Sequence, residues 1–297
     1  PPARRRRAGA RMRSRALPFR NEGHVLGGAQ STESGHPPPN GGHAGAQQAG
    51  KHSVEDGTRQ AALKALLAYQ NSDGGFGNGI EPDMLCPASS AIGAETALFV
   101  LDMLDAPAED IEAPIIEPLL AWLEQNQNAA GGMVHPPPSF EAYPHQPWWK
   151  NSDEERVFAI AAQLHPWQDK QPSFFANARR FYEQMPPLKP FAYYSYPAVL
   201  YLIHFRQTEA DETTFQTLLA KVPPVLQDNA DHFPLFSRAW YPFKAFVDAV
   251  TVDQAVARVV DGFLPDGGIA NPYPELPWWR SIFTLDVLML LKKDGHL

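Results

Sequence analysis

The chain has 297 residues, 44% hydrophobic and 20% charged, which is ordinary globular material of a length for one large domain or two small ones. Its net charge of −8 is divided unequally: residues 1–50 hold eight arginines and two glutamates, so the remainder carries −14 and would repel phosphate, which excludes nucleic acid as the body's partner. One cysteine cannot form an internal disulfide, and no apolar run approaches the ~20 residues of a membrane span, so a cytoplasmic location is expected.

Residues 1–53 are Arg-, Pro- and Gly-rich and hold few large apolar side chains, so they are expected to form a disordered tail. From there the pattern changes. TRQAALKALLAYQ (58–70) carries Ala62, Leu66 and Tyr69 at helical spacing and ends at NSDGG, where glycines suit a helix C-terminus. SSAIGAETALFVLDML (89–104) predicts a broadly apolar helix with Ser89 or Ser90 as its N-cap. Pro107, Pro114 and Pro118 break up the next stretch, and EPLLAWLEQNQ (117–127) resumes a helix. Helices are predicted at 154–164, 172–185, 196–207, 211–222, 237–250, 252–263 and 283–293. No segment alternates as a strand would, so the fold class is all-α.

QNSDGGFG (70–77), QNAAGGMV (127–134) and LPDGGIAN (264–271) are alike. Two share Gln-x-x-x-Gly-x-apolar, as Gln70, Gly74, Phe76 and Gln127, Gly131, Met133, while the third has Phe263 where the Gln would fall. PWWKN (147–151) and PWWRS (277–281) form a second echo, each after a Gly-Gly turn and a Pro-rich stretch. Helix, Gly-rich turn, Pro-rich loop and helix in repetition predict stacked helical hairpins.

This pattern resembles the repeats of the squalene cyclase and protein prenyltransferase superfamily, which end in Gln-x-x-x-Gly-x-Trp. The resemblance implies an α/α toroid over 54–297, with the Gln and the aromatic in structural roles. A nearer resemblance, carried by QNSDGGFGNGIEPD (70–83), PWWKN and DGGIANPYPELPWWR (266–280), is to a group of largely uncharacterised bacterial proteins with a QNPDGGFG motif. It implies the toroid and no reaction. The body is short for six full hairpins, so the ring is expected to be incomplete or completed by a partner, as in a homo-oligomer.

The prenyltransferases hold zinc with an Asp-x-Cys pair and a distant His. Asp83 and Cys86 stand one residue too far apart, and the late motif has no His, so neither metal nor cofactor is expected. The candidate catalytic pair is Glu81 and Asp83. Pro82 favours extended chain before it, where residues two apart face one side, and two adjacent carboxyls can divide into an acid and a base. The alternative is that Asp83 caps the following helix and Glu81 meets an arginine. Trp148, Trp149, Trp278 and Trp279 are candidate substrate-binding walls or packing between repeats, and Arg280 could pair with a substrate anion. His135, His145 and His165 flank prolines and are expected to be exposed. Three functions stay open: action on, or binding of, a hydrophobic isoprenoid-like ligand in a central cavity, a carbohydrate-active α/α-barrel enzyme using Glu81 and Asp83, and a non-catalytic scaffold.

Overall fold

The computed structural model describes residues 57–186, 191–230 and 234–297, which belong to one compact unit; the expected tail 1–53 lies outside them. Among the described residues the regular structure is helical, and strand-like pairing is confined to isolated bridges. The all-α expectation holds. The helices are α1 (57–66), α2 (Ala91–Met103), α3 (Ala108–Ile111), α4 (Glu117–Asn126), α5 (Arg156–Gln163), α6 (Pro172–Gln184), α7 (Tyr196–Phe205), α8 (Glu209–Leu219), α9 (Val222–Asp228), α10 (Ala249–Asp261) and α11 (Trp279–Lys293).

Burial sorts the helices. α2 buries eleven of its thirteen residues, the signature of a helix apolar all round and enclosed by others. It packs on α5 and α11, and α5 packs on α7. α4 and α6 pack on each other and keep a polar face. Phe158, Tyr182, Tyr201 and Phe205 pack together between α5, α6 and α7, with Tyr201 stacked on Phe205 and Phe158 edge-on to Tyr182. Ser90 caps α2 as expected, its side chain accepting from the Gly93 N–H at 3.0 Å.

The three similar stretches fold alike. Bridges join Gln70 to Phe76, Gln127 to Met133 and Phe263 to Ile269. The glycines Gly74, Gly131 and Gly267 have φ of +92°, +102° and +81°, a region that side chains with a Cβ rarely enter. Gln70 donates to the carbonyls of Gly74 (3.0 Å) and Ile115 (3.2 Å), and Gln127 to those of Gly131 (3.1 Å) and Phe174 (3.0 Å). Each Gln thus closes its own turn and ties it to a later helical segment, the turn leading into α4 for Gln70 and α6 for Gln127. In the third copy Arg280 does this work from α11, donating to the Ile269 carbonyl at 3.2 Å and to both oxygens of Asp266.

Two segments differ from the sequence reading. Residues 237–250 do not form an α-helix. Tight turns lead into a 3-10 helix at Tyr241–Phe246, and α10 begins only at Ala249 under the cap of Asp248. Pro242 lacks the N–H an α-helix needs, and this path buries Trp240 and Phe243 fully. Conversely, Pro114 and Pro118 do not interrupt the chain. Glu112–Ile116 widens into a π-turn and runs straight into α4, with Pro118 in its first turn, where a missing N–H costs little.

Candidate functional site

Glu81 and Asp83 follow the first Gly-rich turn and are both buried. A turn from the Glu81 carbonyl to the Met84 N–H (3.1 Å) bends the chain. The Asp83 carbonyl accepts from Gln146 (2.9 Å), and Leu85 donates to Pro144 (2.9 Å), so the acidic element is clamped against 144–146. The two carboxyls share a hydrogen bond, and Thr96 of α2 donates to Oε2 of Glu81 at 3.1 Å. Burial is the first cause that pushes Glu81 well above the usual carboxyl range, and the Asp83 bond and charge add to it. Arg238 and Arg156 pull the other way. Asp83 does not cap a helix; Ser90 does.

Around this pair four helices and a connecting turn deliver further charges. Glu95 of α2 is fully buried, ion-paired with Arg156 of α5 and hydrogen-bonded by the Tyr196 hydroxyl of α7 at 2.8 Å. Arg156 also meets Asp153 at 2.8 Å. Arg238 grips Asp286 of α11 with two bonds of 2.7 Å. Fork-to-carboxylate geometry of this kind holds buried charge in place.

Trp149 lies at the edge of this cluster, with the Arg156 guanidinium 5.3 Å from its ring centre and His135 edge-on at 5.5 Å. His135 is buried, against expectation, because its loop folds under Trp149 rather than over the surface. Burial first, then the charge of Arg156, lowers it to about 3, so it stays a neutral imidazole. Among the described residues Oδ1 of Asp83, both ring nitrogens of His135, Nε1 of Trp149 and Nε of Arg156 are buried without a hydrogen-bond partner. Orphaned polar atoms are rare in a native core, and these five gather on four residues of one cluster.

The other sequence candidates lie elsewhere. Trp148 is exposed. Trp278 is exposed, and Trp279 stacks on Phe283 at 5.1 Å, which in turn meets Tyr273 at 6.1 Å. The Tyr273 hydroxyl contacts that of Tyr194 at 3.3 Å, and its phenol is pushed up by burial, by that bond and by charges that include Asp83. Arg280 is engaged in the third turn. Cys86 is buried near Ser139, and among the described residues no three His, Cys, Asp or Glu side chains gather as a metal site.

Sequence reading missed Glu95, Thr96, His135, Arg156, Tyr196, Arg238 and Asp286. Two of them carried a visible signal. Glu95 in AIGAETALF and Asp286 in FTLDVLML are lone carboxylates inside apolar helices, which are buried only when paired.

The arrangement offers a carboxyl whose pKa is raised, bonded to a second carboxyl and within the field of two guanidinium groups. It can give a proton, take one, and steady a negative charge that develops between. No family model, curated protein or solved structure matches the chain.

Proposed function

We propose that the chain is an acid–base enzyme of α/α-toroid type, with Glu81 and Asp83 as its reacting pair and a polar, hydroxyl-rich substrate of carbohydrate class. The buried hydrogen-bonded pair, with Glu81 raised, carries this reading. The toroid draws support from the contacts of α2 with α5 and α11 and of α5 with α7, with α4 and α6 beside them. The orphaned atoms on Asp83, His135, Trp149 and Arg156 are a mixed donor and acceptor set suited to hydroxyls. Two carboxyls that share one hydrogen bond sit on one side of a substrate, closer than the ~5 Å or more that glycosyl displacement requires. Proton abstraction and return, as in an elimination or an epimerisation, fit the pair better.

A second reading, a hydrophobic isoprenoid-like ligand, draws on a different place. A cavity of about 730 Å³ opens between the C-terminal halves of α2 and α7, the end of α5 and residues 241–246. Leu101, Ile116, Leu200 and Ile203 help to line it.

Thermal shift with oligosaccharides against prenyl diphosphates separates the readings. Oligosaccharides are expected to raise Tm, and Glu81→Gln is expected to keep that shift while abolishing turnover. A shift from prenyl compounds alone would favour the second reading, and none from either set would favour a scaffold.

A further inference from the structure

Residues 127–155 join α4 to α5 through two short 3-10 turns, Phe140–Ala142 and Pro147–Lys150. Connections of this length are usually lids, binding loops or linkers. The two ends of the stretch lie side by side. Met133 donates to the Glu154 carbonyl at 3.1 Å, and Val134 to the Asn126 carbonyl at 3.2 Å. Met133 and Val157 are fixed in the main core. Residues 135–151 loop out between these anchors, as an Ω-loop does.

The loop has a small core of its own. Its Phe140 and Trp149 pack with Met84, Cys86 and Ile92 in a hydrophobic cluster separate from the main one. Two backbone bonds clamp it to the acidic element, from Leu85 to Pro144 and from Gln146 to Asp83, both 2.9 Å. Sγ of Cys86 adds a contact with Oγ of Ser139 at 3.5 Å. Against these ties stand the orphaned atoms, on His135 and Trp149 of the loop and on Asp83 and Arg156 beneath it. Water can bond each of them once the loop lifts, so every one opposes the closed state. Five prolines and no glycine between 134 and 151 favour motion as one piece over fraying.

We propose that residues 135–151 are a lid that opens apart from the main core and admits ligand to Glu81 and Asp83. Closing over that ligand, the lid gives the orphaned atoms of His135, Trp149, Asp83 and Arg156 their missing partners among its hydroxyls. That the lid serves a reaction rests on the acid–base reading of the pair; its opening does not.

Cys86, the chain's one cysteine, is buried beneath the lid and reports the opening. Labelling of the full chain with an aromatic disulfide reagent is expected to run at least about tenfold faster than global unfolding allows. It is also expected to change little across low denaturant, since a local opening exposes little surface. Phe140→Ala should speed labelling at least about tenfold, and Phe140→Leu serves, with a smaller rise, if that variant fails to fold. Ser139→Cys, oxidised with diamide, should couple to Cys86 and fasten the lid. The oxidised variant is expected to lose the oligosaccharide-induced rise in Tm, and dithiothreitol to restore it. Labelling that tracks global unfolding overturns the proposal. So does a rate that neither Phe140 variant changes, or a fastened lid that still binds oligosaccharide as the reduced form does. Fast labelling with no oligosaccharide binding in either form would support the opening and sink the carbohydrate reading.

Discussion

Burial pushes a carboxyl group toward its protonated form, and it raises both Glu81 and Glu95, which differ in the groups held against them. Glu95 has Arg156 and Tyr196 in contact. Glu81 has Thr96 and a second carboxyl in contact, while Arg156 and Arg238 act on it through their charge. Its folded pKa is raised above the ordinary 4.5, so neutral burial favours the folded state in acid, and that advantage fades as pH rises above 4.5. Glu81→Gln keeps the shape and the donor but cannot ionise. The variant should melt a few degrees above wild type at about pH 8 and together with it at about pH 4. Equal offsets at both values would show that Glu81 does not titrate in this way. The pair itself was legible because two carboxyls around a proline are a local pattern. Its neighbours were not, since Arg156, Tyr196, Arg238 and Asp286 lie far apart in sequence and meet only through helix packing.

Gly-rich turns are the elements that sequence states most fully, because each is closed within about eight residues by its own backbone bonds. The Asn71 N–H reaches the Gly75 carbonyl at 2.8 Å, Asn128 that of Gly132 at 2.8 Å, and Leu264 that of Gly268 at 2.7 Å. What sequence could not state is which turn lies beneath a helix. Substitution separates the two contributions. Gly267→Ala meets only the backbone cost of a left-handed residue, about 1–2 kcal/mol. Gly74→Ala and Gly131→Ala add a collision with a helix carbonyl, that of Pro118 in α4 and of Asn177 in α6, and should cost about 3 kcal/mol or more. Chemical denaturation of the three variants gives the order, and equal losses would mean that the seating of α4 and α6 contributes nothing. The helix expected at 237–250 failed for the opposite reason. Apolar periodicity alone supported it, and the burial of Trp240 and Phe243 is satisfied equally well by a 3-10 path around Pro242.

The whole molecule keeps polar and apolar chemistry at different heights of the same helices. Arg156 opens α5 and Gln163 closes it, roughly 10 Å further along at 1.5 Å per residue. The first reaches the carboxyl cluster, and the second lines the largely apolar cavity of about 730 Å³, whose rim also carries Asp102, Lys244 and Lys293. Likewise Tyr196 begins α7 at Glu95, while Leu200 and Ile203, one and two turns on, face the cavity. Each helix therefore serves both environments, with Arg156 or Tyr196 in its first turn at the carboxyl cluster and its last turns at the cavity. If the two places are independent, each can be altered alone. An environment-sensitive apolar dye should bind the wild-type chain and Glu81→Gln equally. Ile203→Trp, which puts an indole into the cavity, should reduce dye binding several-fold and leave any saccharide-induced rise in Tm in place. Dye binding that instead follows Glu81 would join the two places into one site. The apolar cavity would then be the far end of a single substrate path leading to the carboxyl pair.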